Sequence, residues 1–282
     1  PSKGASGSDI TWASDNTAVI AADGTVTRPA IGEKDVTVKL TATVSYAGGG
    51  KVTKTFTVKV CAQEEINLAP TSIMGDVVLK DDYLVNASEK ETEYLLSMNS
   101  KKFLYEFYKV AGLTPPTESG YGGWERSNGS NFRGHTFGHY MSALSQAYLS
   151  SDNADDKTKL MKEMQDAVSG LEACQSAYAA KYPDHAGYIS AFPEGCLAAV
   201  DGVASPTGND GSLIVPYYNL HKVLAGLLDI SKNADDKDLQ ARALAVAEGF
   251  GEFLYNRFQK LTDKNRLLRI EYGGMNEALY EL

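Results

Sequence analysis

The spacing of apolar residues changes at about residue 60, and this change limits the possible folds more than any other feature of the chain. Between residues 10 and 60 apolar and polar residues alternate, most regularly at 36–44 and, after the glycines at 48–50, at 56–60. Successive side chains of a strand point to opposite faces of a sheet, so this pattern predicts an antiparallel hairpin with one apolar face. Asp23-Gly24 predicts a further tight turn between short strands near residues 19–20 and 25–26.

Beyond residue 85 apolar residues recur every three or four positions, which predicts amphipathic helices. We expect helices at about 91–111, 134–149, 156–181, 212–231 and 236–258, and the start of a sixth near residue 270. Short polar connections at 150–155 and 233–236 alternate with long loops at 114–131 and 183–211, which are rich in Gly, Pro and aromatic residues. This alternation is typical of helical hairpins packed around a barrel whose functional loops share one end.

The length and charge of the chain define its domain organisation and exclude some partners. Its 282 residues suffice for two domains, and we predict a small β domain at 1–61, a linker at 62–85 and a helical domain at 86–282. The formal net charge of −9 disfavours nucleic acid as a partner, because nucleic-acid binders cluster Lys and Arg against phosphates. No uncharged apolar run reaches the roughly eighteen residues of a transmembrane helix, so no membrane span is predicted.

The three cysteines, Cys61, Cys174 and Cys196, are scattered without the CxxC spacing of zinc ribbons or thioredoxin-like proteins. Cys174 and Cys196 could pair as a disulfide, but a buried free thiol is the favoured prediction for each.

A first group of candidate functional residues surrounds the predicted second helix. His135 and His139 are four residues apart and share one helix face, with Trp124 and Glu125 shortly before them. Two such imidazoles could bind a metal, but no HExxH motif accompanies them and no third ligand can be placed. The alternatives are histidines that bond to neighbouring helices, or histidines that contact sugar hydroxyls beside Trp124, whose indole face can stack on a sugar.

Two further groups lie near the starts of later helices. Tyr218, His221 and Lys222 follow Pro216, where a histidine either packs or caps the helix, or lines the mouth of a pocket. Glu271 and Glu277 could supply one of the two carboxyl groups of a glycosidase, or could stabilise a helix dipole instead. The paired glycines at 273–274 indicate close approach by another element or a ligand.

The segments 10–16, 20–26 and 38–44 resemble bacterial immunoglobulin-like domains attached to surface and secreted glycosidases. The resemblance covers about the first sixty residues and lacks the first strand expected before Ile10, so an incomplete β-sandwich is expected. It implies an extracellular or cell-surface location. Trp12 is the only tryptophan in this segment and no aromatic platform is evident in its sequence. A non-catalytic carbohydrate-binding or adhesion module is therefore the less favoured hypothesis.

A series of motifs from residue 66 onward resembles the β-L-arabinofuranosidase families, glycoside hydrolase family 127 and its relative, family 146. The motifs are GGWE (122–125), RGH (133–135), GHY (138–140), GYISAF (187–192), VPYY (215–218), HK (221–222), AGLLD (225–229) and EYGGMNE (271–277). The resemblance implies an (α/α)6 barrel, present here as its N-terminal half. It also implies the release of terminal β-L-arabinofuranose, with retention, from arabinan-type glycans of plant cell walls or glycoproteins.

In the families that the chain resembles, a cysteine nucleophile is held by a zinc site of Cys and Glu ligands, and a glutamate acts as acid/base, all downstream of the EYGGMNE motif. None of the three cysteines has a matching context, so no catalytic residue and no metal ligand is assigned here. The chain alone is therefore expected to be inactive. The main alternative is another glycosidase or a lyase on the same helical barrel, with Glu271 or another carboxylate acting directly.

The resemblance assigns nine positions to sugar binding or to its support, and His221 is the leading candidate for direct contact. They are Trp124, Glu125, His135, His139, Tyr218, His221, Lys222, Glu271 and Asn276.

Overall fold

The computed structural model of the chain describes residues 2–4, 8–45, 49–63, 75, 77–126, 132–213 and 215–282. The chain divides into two compact units, residues 1–71 and 72–282, and the division lies inside the linker predicted at 62–85.

The first unit contains a three-stranded antiparallel sheet with the order β1 (Asp9–Ser14), β2 (Val36–Ser45) and β3 (Lys51–Val60). In the hairpin, Val36 pairs with Val60 and Val44 pairs with Val52, which confirms the predicted antiparallel pairing. The predicted turn is also confirmed, because Ile20 and Val26 form a bridge across Asp23-Gly24 and Gly24 has a φ of 93°. The described residues of this unit form this one sheet, in place of a complete sandwich.

One face of the sheet is apolar and the other carries mainly Thr and Lys. Ile20, Val38 and Val60 are buried together at one end of the apolar face. Toward the other end Trp12 and Phe56 lie with ring centroids 5.8 Å apart, and Phe56 is 43% exposed. This aromatic pair was not expected from the sequence, because the two residues are brought together only by the register of β1 and β3 against β2.

The second unit is helical. Its helices are α1 (Asp82–Ser97), α2 (Ser100–Phe103), α3 (Tyr105–Ala111), α4 (His135–Ser150), α5 (Ala154–Lys181), α6 (Gly195–Asp201), α7 (Pro216–Asn233), α8 (Lys237–Phe258), α9 (Lys264–Ile270) and α10 (Met275–Glu281). The predicted helices at 134–149, 156–181, 212–231 and 236–258 are confirmed as α4, α5, α7 and α8. The predicted fold class, a small all-β immunoglobulin-like region followed by an all-α domain, is confirmed.

The prediction of a single helix at 91–111 is wrong, because the chain breaks into α1, α2 and α3. Met98 and Asn99 have extended backbone, and the Asn99 side chain accepts a hydrogen bond from the backbone N–H of Lys101 to start α2. Similarly, the helix expected near 270 begins only at Met275, since Glu271 is extended and Gly273 has a φ of 109°. The short helices α6 and α9 were not predicted.

Polar caps set the starts of α5 and α8. Asn153 accepts hydrogen bonds from two N–H groups in the first turn of α5, and Asp236 does the same for α8. The core between α4, α5, α7 and α8 is fully buried, and it holds these helices in a fixed arrangement; its largest members include Phe137, Met141, Leu144, Leu160, Met164, Leu224, Leu227, Phe250 and Leu254. Among the described helices, none has the length and apolar character needed to cross a bilayer.

Candidate functional site

The first two turns of α4 and of α7 lie side by side and carry most of the predicted site residues. Glycines permit this approach: a Cβ atom on Gly138 would lie 2.2 Å from the backbone carbonyl carbon of Lys222. A Cβ atom on Gly226 would lie 2.7 Å from the carbonyl oxygen of Gly138. The two backbones are therefore in direct contact, which places His135 and His139 beside the start of α7.

Around this contact a continuous group of rings forms, which we call the aromatic–histidine cluster. Its members are Trp124, Phe132, His135, His139, Tyr218, His221 and Tyr272. His135 lies at the centre, stacked on Tyr218 at 5.5 Å and edge-on to Trp124 at 5.6 Å. His135 and His139 are 4.8 Å apart, so they share one helix face as predicted.

The cluster combines exposed aromatic rings with buried imidazoles. Trp124 is 57% exposed and Tyr272 is 73% exposed, and His139 is also exposed. His135 and His221 are buried beneath them. The cluster thus presents an aromatic surface to solvent with nitrogen atoms set into it.

The buried imidazoles are uncharged at neutral pH. Burial lowers the pKa of His135 to about 4, and the charges of His139 and Lys222 add to the effect. Burial likewise lowers the pKa of His221 to about 4, with Lys222 contributing. The pKa of Lys222 is itself lowered by burial, and its Nζ atom lies 4.6 Å from the centre of the Tyr218 ring. Neutral imidazoles can both donate and accept hydrogen bonds, as recognition of hydroxyl groups requires.

His221 is only 6% exposed and lies behind the glycine pair predicted to mark a close approach. Its Nε2 atom accepts a 3.3 Å hydrogen bond from the Gly274 N–H. Its Nδ1 atom is buried and has no hydrogen-bond partner among the described residues. A Cβ atom on Gly273 would lie 2.8 Å from the Tyr218 ring and 3.0 Å from the His221 ring, so the approach is one of protein on protein. Direct contact between His221 and a sugar stays a prediction.

The two predicted glutamates nearest the cluster are bound to backbone. Both carboxylate oxygens of Glu125 accept N–H groups at the start of α4, and both oxygens of Glu271 accept N–H groups at the start of α7. Burial raises the pKa of Glu125, and it raises the pKa of Glu271 to about 7, against the opposing effect of these hydrogen bonds. Asn276 and Glu277 are exposed in the first turn of α10.

The described residues contain no group of three or more His, Cys, Asp or Glu side chains that could hold a metal ion. Cys174 and Cys196 are buried free thiols, which confirms that prediction, and Cys61 is an exposed free thiol. Burial raises the thiol pKa to about 12 for Cys174 and to about 11 for Cys196. These cysteines do not fit a zinc–thiolate site, which requires ionised sulfur beside further ligands.

A buried ion cluster behind the start of α7 was missed from the sequence. Arg257, 3% exposed, forms 2.6 Å ion pairs with both Glu194 and Asp201. Tyr217 donates a 2.5 Å hydrogen bond from its hydroxyl to Asp201, which links α7 to α6 and α8. The available signal was Arg257 itself, a charge that continues the apolar i, i+4, i+7 series of Phe250 and Leu254.

Two further cluster members, Phe132 and Tyr272, were also missed. Phe132 immediately precedes the RGH motif and Tyr272 lies within EYGGMNE, but an isolated aromatic residue in a loop gives no periodic signal. Their inclusion follows from ring contacts with Trp124 and Tyr218.

Comparison with known families agrees with the order of domains predicted from the sequence. Residues 1–63 match the model of an atrophied bacterial Ig domain, and residues 76–282 match the model of the β-L-arabinofuranosidase GH127 catalytic domain. No curated protein matches the chain. Since the second match covers well over half of the sequence, the chain belongs to the GH127 β-L-arabinofuranosidase family of glycoside hydrolases.

Proposed function

We propose that the helical domain acts in releasing terminal β-L-arabinofuranose from plant-type glycans with retention of configuration, and that the aromatic–histidine cluster holds the sugar. The observation that carries the proposal is the pair of exposed rings, Trp124 edge-on to His135 and Tyr272 next to Tyr218, around an imidazole that is neutral at physiological pH. The family match supports the reaction class. An extracellular or cell-surface location is part of the proposal, because plant glycans are met outside the cell.

The chemistry of the cluster suits a sugar better than a charged ligand. An indole or phenol face packs against the apolar C–H face of a sugar ring, and this contact needs the ring exposure seen at Trp124 and Tyr272. Hydroxyl groups need partners that donate and accept, which His135 and the exposed His139 supply without a fixed charge. Lys222, half-buried over Tyr218, adds a donor at the same position.

We further propose that the nucleophilic thiolate and its zinc site come from residues outside this sequence. In support, Cys174 and Cys196 are buried and their thiol pKa values are raised by that burial, so neither supplies a thiolate to the cluster. A zinc-bound thiolate would supply the attacking group, and the residues of this chain would bind and orient the furanose. The chain alone would then bind sugar without cleaving it.

A carboxylate-based glycosidase or lyase has less support. Glu125 and Glu271 each use both carboxylate oxygens for backbone N–H groups, so neither presents a free oxygen to a ligand.

The catalytic proposal is tested with p-nitrophenyl β-L-arabinofuranoside as substrate for this chain and for a longer protein that contains it, each with and without a zinc chelator. We expect hydrolysis only by the longer protein, with loss on chelation and with the β anomer as first product by NMR. Hydrolysis by this chain alone would overturn the assignment of the thiolate and zinc to residues outside it.

The binding proposal is tested with methyl β-L-arabinofuranoside and the fluorescence of Trp124, in a W12F background that removes the other tryptophan. Titration calorimetry then compares W124A with Y255A, which removes an equally exposed aromatic ring on α8. We expect W124A to weaken binding roughly tenfold, the magnitude of one lost aromatic contact, and Y255A to leave it unchanged. Equal affinities in the two variants would exclude the cluster as the sugar site.

A further inference from the structure

We propose that Glu125 and Glu271 are positioning residues for the aromatic–histidine cluster: each carboxylate holds the first turn of a helix that carries two of the cluster's rings. The inference rests on the proposed function in that the cluster is taken to be the sugar site. The inference goes beyond the proposed function because it gives both glutamates a role that involves no contact with the ligand.

Glu125 substitutes for the cap that α4 lacks. The residue at the N-cap position is Gly134, in the left-handed region with a φ of 82°, and no side chain of the helix start caps the turn. The Glu125 carboxylate accepts the Gly134 N–H at 2.9 Å and the Thr136 N–H at 2.7 Å. Glu125 is 7% exposed and its carboxylate binds the backbone on both sides of His135, so it holds the position of that residue at the start of α4. A buried carboxylate at this end also matches the positive end of the helix dipole.

Glu271 performs the same task for α7. Val215, at the N-cap position, offers no side-chain cap, and Pro216 has no N–H group. The first two N–H groups that α7 possesses belong to Tyr217 and Tyr218, and Glu271 accepts both at 3.1 Å. Tyr218, the ring stacked on His135, is therefore held through its own backbone.

The segment that carries Glu271 also holds the far side of the same helical turn. Three residues later the Gly274 N–H donates to Nε2 of His221, which places the imidazole hydrogen on Nδ1. Glu271 and Gly274 thus bind Tyr218 and His221 from one short stretch of chain. Removing the carboxylate would release the N-terminal end of this turn and leave its other contact in place.

The test uses the full chain with 13C-labelled histidine, because the chain has four histidines and the structure describes all of them. Three belong to the cluster, and the fourth, His185, contacts Glu194 in the buried ion cluster and serves as an internal reference. We compare E271Q and E125Q with E252Q and E118Q, which neutralise exposed glutamates. Affinity for methyl β-L-arabinofuranoside is measured for each variant.

We expect E271Q to shift the ring resonances of His221 and His135, and E125Q to shift those of His135 and His139, while His185 stays unchanged. Each should weaken binding of the probe roughly tenfold, because glutamine keeps one acceptor oxygen and replaces the other with an NH2 group that cannot accept the second backbone N–H. Resonances and affinities equal to those of E252Q and E118Q would overturn the proposal. Should E271Q fail to fold, E271D retains a shorter carboxylate, and unshifted cluster resonances in it would overturn the proposal equally.

The two proposals fail in different ways. If the unaltered chain does not bind the probe, the cluster is not the sugar site, whereas the histidine shifts still decide whether the glutamates position the rings. If the unaltered chain binds and the shifts occur without a change in affinity, the positioning proposal is wrong and the sugar site stands.

Discussion

Replacing Gly138 with alanine should destabilise the helical domain by disrupting the contact between α4 and α7. The added Cβ would lie 2.2 Å from the carbonyl carbon of Lys222 and 2.4 Å from its Cβ and carbonyl oxygen. Carbon atoms in contact prefer roughly 3.5–4.0 Å, so the helices must separate by more than about 1 Å. Overpacking of this kind costs up to about 3 kcal/mol, and alanine returns about 1 kcal/mol of helix propensity. The expected net loss in free energy of unfolding is about 2 kcal/mol.

Gly251 provides the matched control, because it is also a glycine inside a long helix. Its added Cβ would meet the side chain of Leu282, whose outer methyl group lies at 2.4 Å and can rotate away. G251A should therefore stabilise α8 by up to about 1 kcal/mol. Urea unfolding in a W12F background, followed by Trp124 fluorescence, reports on the helical domain. A G138A protein as stable as G251A would refute the direct backbone contact between α4 and α7.

Three further outcomes are expected. In the native protein at pH 8 a thiol reagent should modify Cys61 rapidly and the two buried thiols only after unfolding; three rapid reactions would contradict their burial. Glu271 has a folded pKa of about 7 against an ordinary 4.5, so the folded state holds a proton that the unfolded chain releases, and stability falls as pH rises between these values. The loss in free energy of unfolding caused by E271Q should therefore shrink by up to about 3 kcal/mol from pH 4.5 to 7.5 in urea titrations, and a constant difference would contradict the raised pKa. R257M leaves two buried carboxylates without their cation and should lower the free energy of unfolding by about 3–5 kcal/mol. R242M, at a partly exposed ion pair, should lower it by less than about 1 kcal/mol. Equal losses in the two variants would contradict the burial of the ion cluster around Arg257.

Local patterns in the sequence predict the strands and long helices well. The strand pair β2–β3 and the helices α4, α5, α7 and α8 follow from periodicity and from capping residues such as Asn153 and Asp236, which act within a few residues of their own position. The same periodicity gave a wrong prediction at 91–111, where the apolar spacing continues across the break between α1 and α2. The break depends on a single cap at Asn99, which a count of apolar residues does not detect.

The nine candidate residues were recognised from motifs, and their arrangement could not be predicted. In the sequence Glu125 and Glu271 suggested carboxylates for catalysis or ligand binding. In the tertiary structure both accept hydrogen bonds from backbone N–H groups at the starts of helices. His221 appeared the best candidate for contact with a sugar, and the fold places it beneath Gly274.

The amino-acid sequence by itself is enough to predict the β hairpin, the long helices and the family, because each depends on residues close together in the chain or on the order of short motifs. The cluster depends on contacts across long separations, such as the 54 residues between Tyr217 and Glu271. The approach of α4 to α7 within the cluster is possible because Gly138 and Gly226 let the two helix backbones touch, a distance that no local pattern encodes. The tertiary structure alone therefore decides which side chains face the ligand and which hold others in place.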